Sequence, residues 1–144
     1  MSDPTLRALE QLFGKGNAWQ TNSSTKGGRN PSGLPKGFPD YLVRHSGACM
    51  GHVELKSVKS ASAAAVRPEQ EAFLDFAEIR GCFCAVVFEE CPGQVARAWE
   101  SWMINSVRGD RPNGYSWRYK YAINLAEAKR VANVRRGTPR KRAA

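Results

Sequence analysis

The sequence has no long hydrophobic run, and its cysteines lack the spacing of a metal site. No apolar stretch approaches the roughly 18–20 residues that a membrane-spanning helix needs, so we expect no membrane partner. The four cysteines do not form the spaced pairs of a zinc site. Two of them, Cys82 and Cys84, lie within an apolar run, which favours buried, reduced thiols over a metal site.

The N-terminal residues also lack the basic start and the apolar stretch of a secretory signal. Together with the reduced thiols, this absence leads us to expect a cytoplasmic protein, in a bacterial or phage-infected host cell. At 144 residues, 42% of them hydrophobic, the chain suits one compact domain. We predict that this domain spans residues 1–134 and that residues 135–144 form a basic, disordered tail.

Acidic side chains are outnumbered by basic ones. Lys and Arg total 22 against 13 Asp and Glu, which gives a formal net charge of +9. This balance favours a polyanionic partner such as nucleic acid. A basic charge is also compatible with a protein that is merely soluble, so the charge alone does not decide the function.

The spacing of apolar residues predicts alternating helices and strands. Helices are predicted where apolar residues recur at helical intervals between capping residues, at 4–13, 67–80, 94–107 and 125–134. Strands are predicted where short β-prone runs lie between turn residues, near 19–21 and at 38–43, 52–56, 82–88 and 115–123. This order predicts an α/β domain with a mixed central β-sheet flanked by helices.

Two acidic residues and a lysine carry the clearest chemical signal. Glu54 and Lys56 alternate with apolar residues, so on a strand they share one face. If the predicted strand at 38–43, which contains Asp40, lies beside it, the two carboxylates approach and repel each other unless a cation neutralises them. Mg²⁺, or Mn²⁺ in its place, suits such oxygen ligands and activates bound water. For this motif alone, the alternative is a surface strand with alternating charges.

The order of these motifs resembles that of the PD-(D/E)XK nuclease superfamily. It is most similar to the VRR-type nucleases and the small Holliday-junction resolvases. The matching parts are Gly37, Pro39-Asp40, Glu54-Leu55-Lys56, the serine-rich loop at 57–62, Gln70 near the start of a helix and the apolar run 82–88. The resemblance implies a restriction-endonuclease-like core, but residues 92–134 carry no motif that we can place.

The resemblance also implies roles for individual residues. Asp40 and Glu54 would bind the metal together with the carbonyl of Leu55, Lys56 would position the attacking water, and Gln70 would support the site. Members of these families also use an acidic residue on the first helix, and Glu10 is the candidate here. His52 lies outside the family pattern, and we leave open whether it contacts a phosphate or is a structural strand histidine.

Basic residues on both sides of these motifs are candidate contacts for DNA phosphates. They are Lys15, Lys26, Arg29 and Lys36 around a Gly-, Ser- and Asn-rich loop, Lys59 after the central motif, and Arg135, Arg136, Arg140, Lys141 and Arg142, which follow Lys129 and Arg130. Such segments bind phosphates with little sequence information. For the tail, the alternative is a solubilising end. Four aromatic residues could either stack on bases or belong to the core. They are Trp19, Tyr115, Trp117 and Tyr119.

We therefore expect a magnesium-dependent endonuclease that cuts branched DNA, as the junction resolvases do. A four-way junction has two equivalent strands to cut, so we expect a homodimer. Trp99, Trp102 and Met103 are a candidate interface, or part of the core. Two alternatives stay open. One is a VRR-type repair or restriction nuclease acting on flaps, nicks or duplex, and the other is a non-catalytic nucleic-acid-binding module of the same fold.

Overall fold

The computed structural model describes residues 3–21, 34–45, 49–109 and 115–135. In chain order the elements are helix α1 (Pro4–Phe13), strands β1 (Ala18–Gln20), β2 (Tyr41–His45) and β3 (Cys49–Lys56), helices α2 (Ala61–Ala64) and α3 (Pro68–Ile79), strand β4 (Phe83–Phe88), and helices α4 (Gln94–Arg108) and α5 (Trp117–Arg135). Among these helices, none is long and apolar enough to cross a membrane. Some predicted DNA contacts lie outside the described residues, namely Lys26, Arg29, Arg136, Arg140, Lys141, Arg142 and the side chain of Arg135.

The strands form one mixed sheet in the order β1-β2-β3-β4. The first three strands are antiparallel neighbours, and β4 lies parallel to β3. Parallel neighbours need a crossover connection, which α2 and α3 provide. The predicted α/β class with a mixed central sheet is therefore confirmed.

Helices cover both faces of this sheet. On one face, Leu9 of α1 and Trp102 of α4 join Val53 and Phe83 in a buried cluster. On the other face, α3 and α5 pack against the second set of β4 side chains. All six residues of β4 are buried, as expected for an apolar strand that is covered on both sides.

The cysteines and tryptophans that the sequence singles out belong to this core. Cys82 and Cys84 are not in disulfides, and Cys84 is fully buried. Burial raises the pKa of Cys84 well above its ordinary value, which keeps the thiol protonated. Trp102 is buried and stacks on Trp99 with 5.1 Å between the ring centroids. Met103 is the exposed member of the predicted interface.

The prediction of a strand at 115–123 was wrong, because Trp117 begins helix α5. Aromatic residues at every second position from Tyr115 suggested the period of a strand. The buried and half-buried side chains instead recur every three or four residues, at Trp117, Tyr121, Leu125, Ala128 and Ala132. Tyr115 precedes the helix, and its hydroxyl donates to the carbonyl of Cys84 in β4. Tyr115 and Trp117 are therefore core residues, whereas Trp19 and Tyr119 are exposed.

Helix α1 begins at the predicted cap. Asp3 accepts hydrogen bonds through Oδ1 from the backbone N–H groups of Thr5 and Leu6, at 3.0 and 3.1 Å. Its second oxygen, Oδ2, accepts from the hydroxyl of Tyr41 at 2.7 Å. Tyr41 is the first residue of β2, so the start of α1 is bound directly to the strand that follows Asp40.

Gly37 brings the segment before Asp40 against the start of α3. Its φ is 90°, which favours glycine, and a Cβ there would lie 2.6 Å from the carbonyl oxygen of Glu69. We expect Gly37→Ala to lower the free energy of unfolding by about 1–3 kcal/mol in urea unfolding. Gly93→Ala is the matched control, because a Cβ there meets no atom within 4 Å. It should cost less than about 1 kcal/mol. Equal losses in the two variants would contradict this account.

Candidate active site

Asp40 and Glu54 come together because β2 and β3 are antiparallel neighbours. Tyr41 pairs with Val53, so the residue before β2 lies opposite the residue after Val53. The carboxylate of Asp40 accepts a hydrogen bond from the N–H of Leu55 at 2.9 Å through Oδ2. The structure thus brings together Asp40 and Glu54, the two acidic residues that were predicted from the sequence to share a site.

Glu54 is the buried member of this pair, and burial changes its protonation. Its side chain is 5% exposed. Burial and then the nearby charge of Asp40 raise the pKa of Glu54 to about 9, although Lys56 and Arg67 act in the opposite direction. At neutral pH and without a cation, Glu54 therefore carries a proton.

Gln70 connects the charged groups of the site. Its Nε2 donates to Oε2 of Glu54 at 2.9 Å, and its Oε1 accepts from Nζ of Lys56 at 2.7 Å. Oε1 also accepts from the backbone N–H of Arg67 at 2.9 Å, at the N-cap of α3. Because that N–H can only donate, it fixes which end of the amide faces Lys56. The first turn of α3 therefore orients both Glu54 and Lys56.

Lys56 is a buried lysine beside a carboxyl group. Its Nζ lies 3.7 Å from Oε2 of Glu54, and the side chain is 6% exposed. Burial lowers the pKa of Lys56, whereas the carboxylates of Glu54 and Asp40 act to raise it. The amino group thus has little contact with water and lies beside the carboxyl group of Glu54.

His52 shares this face of β3 but lies among aromatic rings. Its ring centroid is 6.3 Å from that of Phe38 and 5.4 Å from that of Phe73. Burial lowers the pKa of His52, so the ring is neutral at pH 7, and its Nδ1 has no hydrogen-bond partner among the described residues. A buried, neutral ring suits the structural alternative better than a contact with phosphate.

Glu10 lies on α1, and its role as a metal ligand stays a prediction. The described residues contain no group of three or more His, Cys, Asp or Glu side chains that could hold a metal ion. Glu10 lies seven residues beyond Asp3 in sequence, about 10 Å along a helix axis. Asp3, at the start of α1, lies nearer to the site, because it is bound to Tyr41.

A group of acidic residues lies next to the site and was not predicted from the sequence. Asp3, Glu89 and Glu90 line a cleft of about 320 Å³ together with Leu55 and Lys59. The backbone N–H of Glu89 donates to the carbonyl of Lys56 at 2.9 Å, which fixes this cleft at the end of β3. One signal was available, since Glu89 and Glu90 follow the strand that was predicted to be buried, and parallel strands end at the same edge of a sheet.

The remaining predicted DNA contacts lie on the surface. Lys15, Lys36 and Lys59 are exposed. The hydrogen bond from Arg67 is the main cause that lowers the pKa of Glu69, and the charge of Lys36 adds to it. Lys59 lines the acidic cleft beside Glu89 and Glu90. The structure therefore gives Lys59 a more negative environment than the sequence suggested.

Comparisons with protein-family models, with curated proteins and with solved structures give no match.

The donor set fits a hard divalent cation. The carboxyl groups of Asp40 and Glu54 lie opposite each other. Burial and the charge of Asp40 raise the pKa of Glu54, and the positive charges of Lys56 and Arg67 do not offset this rise. The carbonyl of Lys56 accepts a hydrogen bond from Glu89 and therefore faces β4. Because successive residues of a strand direct their backbone groups to opposite sides, those of Leu55 face β2. The hydrogen bond from the Leu55 N–H to Asp40 agrees with this direction. The Leu55 carbonyl therefore lies on the same side of β3 as Asp40. Mg²⁺ is commonly held by one or two carboxylates, with the remaining ligands supplied by water and phosphate.

Proposed function

We propose that the protein is a divalent-metal-dependent DNA endonuclease that hydrolyses phosphodiesters in branched DNA, like the Holliday-junction resolvases. One observation carries the proposal. Asp40, just before β2, lies opposite Glu54 of β3, and Gln70 bonds to both Glu54 and the buried Lys56. Perturbed, buried ionisable groups of this kind are typical of catalytic sites.

In this proposal, Asp40, Glu54 and the carbonyl of Leu55 hold Mg²⁺, and Mn²⁺ can replace it. The bound ion would polarise the phosphodiester and lower the pKa of water. The ammonium of Lys56 holds the attacking water or a phosphate oxygen. Gln70 holds Lys56 and Glu54 in position through its two hydrogen bonds. The burial of both side chains strengthens their electrostatic effect.

The substrate and the assembly follow from charge and symmetry. A net charge of +9 favours a polyanion, and the exposed Lys15 and Lys36 supply phosphate contacts that carry no sequence information. We propose a homodimer in the cytoplasm, because two equivalent sites would cut the two equivalent strands of a junction.

The test is a substrate panel of end-labelled four-way junction, flap, nicked duplex and linear duplex, each incubated with Mg²⁺ or Mn²⁺. We expect the wild-type protein to cut the junction in preference to the linear duplex. Asp40→Asn and Glu54→Gln keep the size of each side chain but remove its charge. We expect both variants to bind the junction with nearly wild-type affinity and to cut nothing, because each lacks a metal ligand.

The outcomes separate the alternatives. Binding of the panel without any cutting, with either metal, would contradict the enzymatic proposal and leave a nucleic-acid-binding module. Equal cutting of junction and linear duplex would contradict junction selectivity and favour a VRR-type repair or restriction nuclease. Cutting by Asp40→Asn at the wild-type rate would show that the acid pair is not the metal site.

A further inference from the structure

A second surface groove lies beside the candidate active site, between the segment after β3 and the C-terminal half of α5. Its volume is about 200 Å³, and it is lined by Val58, Ser60, Ala61, Lys129, Ala132 and Asn133. Its walls are firmly attached, since Val58 and Ala132 pack with Phe88 in a buried cluster. The groove is therefore a fixed feature of the fold.

The groove has the charge that a phosphate requires. Lys129 is its one ionic side chain, and a serine hydroxyl and an asparagine amide also line it. Among the described residues, Lys129 forms no ion pair, whereas the neighbouring Arg130 pairs with Glu127 at 3.5 Å. The cleft that Lys59 lines contains Asp3, Glu89 and Glu90. A phosphate is repelled from that cleft but attracted to the groove.

The groove also lies within reach of the strand that the active site would cut. Val58 lies two residues after Lys56, and Ser60 lies four residues after Lys56. Four residues span at most about 14 Å. Phosphates rise by about 3.4 Å per nucleotide along a strand. A phosphate in the groove would therefore lie within about four nucleotides of the bond that is cut.

We propose that this groove binds a backbone phosphate of the DNA substrate, with Lys129 as its ionic contact, and that Lys59 makes no such contact. The inference rests on the proposed function, and it names the side of the site along which the strand runs. It also gives α5 a role, because the helix continues from Lys129 toward the basic C-terminal sequence.

The test measures binding without cleavage. Labelled junction and duplex are titrated with Glu54→Gln protein in EDTA over a range of salt concentrations, with and without Lys129→Gln. Each phosphate contact contributes about 0.9 to the slope of log K against log salt, so Lys129→Gln should lower that slope by about one. Lys59→Gln should leave it unchanged. Lys120→Gln is the control on the same helix, where the lysine lies over the ring of Tyr119.

Two results would contradict phosphate binding in the groove and leave the nuclease proposal intact. One is an unchanged slope in Lys129→Gln, and the other is an equal fall in Lys120→Gln, which would indicate diffuse attraction to the whole helix. Cleavage by the wild-type protein is scored separately. If neither the wild-type nor the Glu54→Gln protein binds DNA, both proposals fail.

Discussion

The metal-free protein is expected to become less stable as the pH rises from about 7 to about 8.5, and the Glu54→Gln variant is not. The cause is the proton on Glu54. The pKa of this group is raised to about 9 by burial and by Asp40, whereas a carboxyl in the unfolded chain ionises near 4.5. Between these values the folded state binds a proton that the unfolded state has released. The stabilisation is complete below the lower pKa and is lost as the pH rises through the higher one.

The size of the effect is bounded by one proton. A single group changes the free energy of unfolding by at most about 1.4 kcal/mol per pH unit, or about 2 kcal/mol over this range. The lowered pKa of His52 acts in the opposite direction, but only below its ordinary value of 6.5. The lowered pKa of Lys56 also acts in the opposite direction, as that lysine deprotonates. The difference between the two proteins reports Glu54 together with its effect on Lys56, because the Glu54 carboxylate acts to raise the pKa of that lysine.

The measurement is urea unfolding in EDTA at several pH values in that range, for the wild-type protein and the variant. Glutamine keeps the shape of the protonated acid, so the variant also reports the cost of ionising Glu54. Parallel curves for the two proteins would contradict the raised pKa. Added Mg²⁺ should reduce the pH dependence of the wild-type protein, because the cation would replace the proton between the carboxylates. The affinity of the protein for Mg²⁺ should rise with pH.

Local patterns predicted the chemically important face of β3. The alternation at 52–56 assigns Glu54 and Lys56 to one face and Val53 to the other, because successive side chains on a strand point in opposite directions. Gln70 was also predictable, since it occupies the first turn of a helix whose beginning is marked by Pro68. These predictions needed only residues that are close in sequence.

Features that depend on tertiary contacts were not predictable in the same way. The N–H of Leu55 donates to Asp40, 15 residues earlier in the sequence, and no local pattern indicates this bond. Asp3 was recognised as a helix cap, but its bond to Tyr41 depends on the packing of α1 against β2. The prediction for 115–123 failed for a related reason. An alternating aromatic pattern suits a strand, and only the contacts of α5 with the sheet show that the buried side is helical.

Lys56→Met is expected to lower the rate of DNA cleavage by about 10²–10³-fold and to leave the protein folded. Methionine matches the unbranched shape of lysine but cannot hold a water or a phosphate oxygen. The change in the free energy of unfolding at pH 7 should stay within about 1–2 kcal/mol. Gln70 keeps its bond to the N–H of Arg67, and Glu54 is already protonated at this pH. A buried ammonium also costs desolvation energy, which the substitution removes.

Single-turnover cleavage with the enzyme in excess, together with binding of the junction in EDTA, separates chemistry from affinity. A catalytic lysine predicts a large fall in the cleavage rate with a nearly unchanged dissociation constant, whereas a lysine that only contacts the backbone predicts the reverse. Lys120→Met, on the first turns of α5, is the matched control and should change neither quantity more than about twofold. Lys56→Arg adds a second test, because it keeps the charge but replaces a compact ammonium with a planar guanidinium. Full activity in Lys56→Met would remove Lys56 from the chemistry, even if Asp40 and Glu54 prove essential.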